Sequence, residues 1–178
     1  MAAPDLEQLK YPTGKLRLPE TIDFEQIKLW IDNLSQFPDK LTLEVKDMTD
    51  VQLDTSYRPG GWTARQVVHH LADSHMNSYI RFKWAMTEDN PTIKGYNENI
   101  WSALQDAREA PIDCSVDFIR GLHARWVFML KSMSESDFQR TFFHPEFDRT
   151  MRLDRMVGLY SWHGDHHLGH IRNVKNPG

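Results

Sequence analysis

Four of the nine histidines in this chain lie within eight residues near the C-terminus: His163, His166, His167 and His170. If the segment is helical, His163 and His167 are one turn apart and project from the same side, as do His166 and His170. Two imidazoles in that arrangement can bind one transition-metal ion, provided that a third ligand comes from elsewhere. A single pair at this spacing is weak evidence, but two interleaved pairs favour a metal site over packing or surface histidines.

The helix that must position these residues is predicted from Leu153 to Asn173. Its apolar residues cluster in one direction on a helical projection. His163 and His167 lie near that direction, so we expect them to face the bundle interior or its edge. We expect His166 and His170 to face more toward solvent. The better metal-binding pair is therefore His163 and His167.

A second histidine-bearing helix is predicted from Thr63 to about Glu88. Thr63 and Gln66 form a capping box, which marks its first turn. The helix carries His69, His70 and His75, and periodicity alone does not choose a ligand among them. The position of His75 on the apolar face predicts a core histidine bonded to backbone or to a carboxylate.

A polar stripe follows along the same helix and either lines a pocket or is solvated; the pattern leaves both open. Its members are His70, Ser74, Asn77 and Arg81. Asn77 and Arg81 are candidates for binding a substrate carboxylate or carbonyl, and Asp73 is a candidate for orienting a ligand. His123 and His144 stand alone and are predicted to be structural or surface residues.

The remaining pattern predicts an all-α fold, a four-helix bundle, in one domain spanning residues 1–178. Residues 1–19 are predicted to form an irregular arm. A helix from Thr21 is interrupted at Pro38 and continues from Leu41 to Met48. Gln52–Gly61 is a predicted loop, and another long helix spans roughly Ser115–Met133, after a possible short helix at Asn97–Ala107. Gln139–Arg152 lacks helical periodicity, which predicts a short hairpin or extended insertion before the last helix.

Composition limits the possible functions. The net charge is −4 and the basic residues are dispersed, so we expect no nucleic-acid partner. The N-terminal residues lack a secretory pattern and no apolar run reaches the length of a membrane span, so we expect a soluble cytoplasmic protein without a membrane partner. The single cysteine, Cys114, leaves histidines and carboxylates to build any metal site.

Two blocks, Gly60–Lys83 and Gly158–Ile171, resemble the YfiT family of metal-dependent hydrolases within the DinB-like superfamily. The likeness extends to Tyr11–Gly14, Gln52–Thr55 and Leu122–Trp126, and so covers nearly the whole chain. The resemblance implies a four-helix bundle with one divalent metal ion per subunit, often in a cytoplasmic homodimer. It places the three metal ligands on His70, His163 and His167.

Three neutral imidazoles leave a coordination position for water or a small-molecule substrate, as in catalytic zinc sites. We therefore expect a Zn²⁺-dependent hydrolase, with Ni²⁺, Fe²⁺ or Co²⁺ as other ions that such a site binds. A transferase that activates a low-molecular-weight thiol, known among DinB-like relatives, is the alternative, and a bundle without enzymatic activity is a third hypothesis. No general base is identified, because position 164 is glycine rather than glutamate and Asp165 projects away from the pair.

Overall fold

Four long helices form the bundle in the computed structural model, which describes residues 5–175. They are α2 (Phe24–Val45), α4 (Ala64–Thr87), α7 (Asp113–Ser132) and α8 (Leu153–Lys175). The shorter helices are α1 (Leu6–Lys10), α3 (Asp50–Leu53), α5 (Glu98–Ser102) and α6 (Gln105–Glu109). Among the described residues, no helix combines the length and hydropathy that a membrane span requires.

A two-stranded antiparallel hairpin precedes the last helix and confirms the predicted insertion. Strand β1 (Thr141–His144) pairs with β2 (Arg149–Arg152), and a 3-10 turn at Pro145–Phe147 joins them. A second 3-10 turn, Asp137–Gln139, connects α7 to this hairpin. The all-α bundle with a hairpin insertion is thus the observed fold.

The histidine-bearing helix α4 begins where its capping box predicts. The Thr63 hydroxyl accepts from the Gln66 backbone N–H, and the Gln66 side chain accepts from the Thr63 N–H. The two backbone N–H groups would otherwise be unpaired donors at the helix start. This local signal fixes where His70 stands along the bundle.

The helices are not arranged in the order of the chain. Helix α2 packs against α7 and α8, and α4 packs against the same two helices. Helices that follow one another, α2 and α4 or α7 and α8, therefore lie diagonally across the bundle. This arrangement brings α4 beside α8, so that their histidines can meet.

Three local predictions differ from the structure. Pro38 does not interrupt the first long helix but lies buried inside α2. Because proline has no N–H, the carbonyl of Leu34 loses its usual helical partner at this point. The N-terminal arm contains the short helix α1, and the predicted loop begins with α3, which its own capping box at Thr49 supports.

The core consists of two apolar clusters with a layer of histidines between them. One cluster includes Leu34, Phe82, Trp126 and Tyr160, and the other includes Phe37, Leu71, Ile119 and Leu168. In each helix the clusters are separated by a few residues, and those residues include His75 in α4, His123 in α7 and His163 in α8. The ring of Phe37 stacks on His75 at 5.1 Å, which closes one side of the layer.

Replacement of Gly164 by alanine is expected to destabilise the fold by about 1–3 kcal/mol, because the new Cβ overpacks the core. That Cβ would lie 2.7 Å from the ring of Phe37, which is buried against His75 and has little room to move. Gly121→Ala is the matched control, since a Cβ at that exposed position in α7 meets no atom within 4 Å. It is expected to stabilise the protein by about 0.5–1 kcal/mol through helix propensity. Urea denaturation of both variants measures the difference, and equal effects would contradict the close approach of α2 and α8.

Candidate metal centre

Three histidines from two helices meet at one point. His70 projects from α4, and His163 and His167 project from α8 one turn apart. One ring nitrogen from each lies within 4.8 Å of the other two, and the Nε2 atoms of His70 and His163 are 3.3 Å apart. Two nitrogens bound to one tetrahedral ion at about 2.0–2.1 Å are about 3.3–3.4 Å apart. The arrangement can therefore hold one divalent ion without large rearrangement.

A chain of hydrogen bonds determines which nitrogen of His163 carries its proton. His123 Nδ1 lies 2.8 Å from the Leu34 carbonyl oxygen, and because a carbonyl only accepts, this Nδ1 is the protonated atom. Nε2 of neutral His123 then accepts from Nδ1–H of His75 at 2.8 Å. Nε2 of His75 accepts in turn from Nδ1–H of His163 at 3.2 Å. The lone pair of His163 is therefore on Nε2, the atom that faces His70.

Pro38 in α2 explains why a backbone carbonyl is free to accept the terminal hydrogen bond of this series of imidazoles. Pro38 stands four residues after Leu34 and cannot donate to its carbonyl. A buried carbonyl without a partner is costly, and the His123 Nδ1–H satisfies it. The missing helical hydrogen bond is replaced by the first bond of the imidazole chain.

A second, shorter chain acts on His167 in the same way. Nε2 of His170 lies 3.1 Å from the Lys10 carbonyl oxygen at the end of α1, so this nitrogen is the donor. Nδ1 of His170 then accepts from Nδ1–H of His167 at 3.2 Å. The lone pair of His167 is on Nε2. His163 and His167 are thus both held in the tautomer that leaves Nε2 free to bind a cation.

These tautomers require neutral rings, and burial keeps them neutral. Desolvation lowers the pKa of His70, of His123 and of His170 to about 4. It also lowers the pKa of His75, His163 and His167 well below the ordinary value of 6.5. At neutral pH the cluster therefore presents lone pairs rather than positive charge. Neutral imidazole is the form in which histidine binds a metal.

The expected exposure of His166 and His170 is wrong. Both are buried, at 7% and 2% exposed, because the N-terminal arm and the loop before α4 cover this side of α8. The ring of Tyr57 stacks on His170 at a centroid distance of 3.9 Å, and Tyr11 lies 6.1 Å from His166. A helical projection considers one helix alone, so it could not detect a cover supplied by distant segments.

The remaining four histidines differ in their hydrogen-bond partners. His75 is fully buried as predicted, but its partners are two imidazoles rather than backbone or a carboxylate. His123 is a buried structural residue, and His69 bonds the Ser115 hydroxyl and the Ala110 carbonyl. His144, at the end of β1, is buried with an unpaired Nδ1 among the described residues.

A cavity of about 470 Å³ opens beside the three histidines, a size that suits a small molecule. Its wall includes His70, Ser74 and Arg81, so the polar stripe of α4 lines a pocket over most of its length. The other lining side chains include Tyr57, Arg58, Trp62, Tyr96, Glu98, His144, Glu146, Tyr160 and His166. The Ser74 hydroxyl lies 3.3 Å from that of Tyr160 on this wall.

Two other predicted candidates, Asn77 and Asp73, do not line the cavity, and neither does Asp165. The Asn77 amide donates to the backbone oxygen of Asp73 at 2.9 Å. Burial raises the pKa of Asp73 to about 6, but its carboxylate makes no hydrogen bond to the histidines within residues 5–175. Asp165 accepts from Asn33 at 2.8 Å on the α2 side, which agrees with its rejection as a base.

Comparison with known proteins identifies the family of this chain. The model of the DinB superfamily matches residues 33–171. A protein of Bacillus cereus named "Putative metal-dependent hydrolase" is 48% identical over 170 residues, covering 96% of this chain and 97% of the relative. A Bacillus mycoides protein whose name begins with the same words is 49% identical over the same coverage.

A solved structure gives the same result for the fold. YfiT from Bacillus subtilis, described as "a probable metal-dependent hydrolase with an unusual four-helix bundle topology", aligns with a TM-score of 0.92 and 47% identity. The alignment covers 94% of this chain and 96% of YfiT. The diagonal placement of successive helices in this chain is itself uncommon among bundles with short connections. This chain belongs to the YfiT family of the DinB superfamily.

Proposed function

We propose that this protein is a hydrolase in which His70, His163 and His167 hold one divalent ion against a small-molecule substrate. The observation that carries the proposal is the convergence of their ring nitrogens within 4.8 Å, at the wall of a cavity. Two hydrogen-bonded chains direct the lone pairs of His163 and His167 toward that point. Names of relatives that describe metal-dependent hydrolases support the same activity.

The donor set fits a borderline-soft ion, with Zn²⁺ first and Ni²⁺ or another divalent ion as alternatives. When bound, such an ion polarises a substrate carbonyl or phosphoryl oxygen and lowers the pKa of water to about 7. Three protein ligands leave at least one position open toward the cavity. A small-molecule substrate that enters the cavity would meet the ion at the wall that Trp62 and Tyr160 also line.

The protein's own contribution is to orient the ligands and restrict water. Hydrogen bonds from Nδ1 fix the ring planes of His163 and His167, so little reorganisation is needed on binding. Trp62 packs against His70 at a centroid distance of 4.7 Å and shields that ligand. A cytoplasmic location and a homodimer, which the family resemblance implies, stay predictions.

We expect the parent protein to bind one divalent ion per chain and the variants His70→Ala, His163→Ala and His167→Ala to lose it. Each variant removes one of three ligands, so the affinity should fall by orders of magnitude. Metal content measured by mass spectrometry after dialysis tests this expectation. His69→Ala is the matched control, because His69 is equally buried on the same helix but bonds Ser115 instead. Retention of the ion by all three ligand variants would contradict the site.

His75→Phe is expected to weaken metal binding about 10- to 100-fold, because His163 loses the acceptor that fixes its tautomer. His75→Gln can still accept from His163 and donate to His123, so it should keep most of the affinity. Competition titration with a chelating dye compares the two variants. Equal affinity of His75→Phe and the parent would contradict the role of the chain.

If the protein is a hydrolase, we expect turnover of small esters, amides or phosphate esters without any added thiol. The alternative, thiol transfer, is chemically possible at the same ion because a metal lowers the pKa of a thiol as it lowers that of water. Parallel assays of a hydrolytic substrate panel and a thiol-plus-electrophile panel separate the two. Turnover that requires a thiol would contradict the hydrolase and support the transferase.

A further inference from the structure

The guanidinium of Arg81 is a buried cation that lacks an anionic partner within residues 5–175. Arg81 is 7% exposed, and its Nε is shielded from solvent without a hydrogen-bond acceptor. None of the ion pairs among these residues includes it. Burial of an unpaired charge is costly, and a bound anion would offset that cost.

Arg81 lines the same cavity as the three histidines. It follows His70 by 11 residues, which is three helical turns, so both project from nearly the same face of α4. Their Cα atoms are separated by about 16 Å along the helix axis, and the arginine side chain leans back toward the N-terminus. The guanidinium therefore lines the same cavity as His70, less than about 16 Å from it along the helix axis.

The surroundings of Arg81 favour an anion over a second structural role. The nearby His144 is also buried with an unpaired Nδ1, and burial together with the charge of Arg81 lowers its pKa. The charged side chains on the cavity wall are Lys10, Arg58, Arg81, Glu98 and Glu146, an excess of cations. Lys10 and both glutamates are exposed, so they can turn toward water, whereas Arg81 cannot.

We propose that Arg81 binds a terminal carboxylate or phosphate of the substrate, which makes small oxyanion-bearing molecules the substrate class of this cavity. The inference rests on the proposed function, since it places the reacting group of the same molecule at the histidine cluster. A planar guanidinium binds either oxyanion through two parallel hydrogen bonds. The reacting bond and the oxyanion would be separated by less than about 16 Å, the axial distance between His70 and Arg81.

Titration of the purified protein with inorganic phosphate and with butyrate, followed by NMR of the arginine Nε–H signals, tests the proposal. We expect saturable binding that shifts the Arg81 signal, and binding at least about tenfold weaker in Arg81→Gln. Arg108→Gln is the matched control, because Arg108 is exposed on α6 and does not line the cavity. A preference for phosphate or for butyrate identifies which oxyanion the substrate carries.

Failure of this proposal can be distinguished from failure of the metal site. Binding of phosphate or butyrate at Arg81 should persist in His163→Ala. Binding of the same anion to the metal ion would be lost in that variant, because the metal ion itself is lost. The NMR signal of Arg81 in the parent protein reports binding even if Arg81→Gln folds poorly, and Arg81→Lys should retain weaker binding. Equal binding by the parent and Arg81→Gln, or no binding of either anion, would overturn the proposal.

Discussion

The candidate metal centre depends on one constraint, namely that a buried imidazole must be neutral and must satisfy both of its nitrogens. A histidine that donates through one nitrogen has a lone pair on the other, and that lone pair needs a donor or a cation. Two backbone carbonyls, those of Leu34 and Lys10, accept the terminal hydrogen bonds and so fix the direction of both chains. Each chain then ends on a lone pair at the same point in space.

Irregularities in two helices leave those two carbonyls without a helical hydrogen-bond partner. Pro38 lies within α2 at some cost in helical hydrogen bonding, and the carbonyl it leaves unpaired is the one that His123 needs. The short helix α1 ends at Lys10, where its last carbonyls have no helical partner, and His170 binds one of them. Features that look irregular in the helices are therefore what orients the polar layer.

Two residues of α4 that line the cavity, His70 and Arg81, differ in the charge of the ligand that each can bind. In the proposed function, the uncharged nitrogens at the His70 end would bind a cation, and Arg81, three turns later on the same cavity wall, would bind an anion. A substrate bound at both ends would lie lengthwise along α4, past Ser74, whose hydroxyl is 3.3 Å from that of Tyr160. The polar residues of α4 that line the cavity would then serve two binding functions, at a spacing set by the rise of the helix.

The sequence by itself determined the elements: the start of α4 from its capping box, the hairpin from the loss of helical period, and the bundle from four amphipathic segments. It also identified His163 and His167 as a pair, because one helical turn places them on one side, and family resemblance rather than periodicity selected His70. Only the tertiary structure decided that the side of α8 carrying His166 and His170 is covered. Local period describes one helix, whereas burial depends on segments that are distant in the chain. For the same reason, no spacing rule could connect Pro38 to His123, which lie on different helices and meet only because α2 packs against α7.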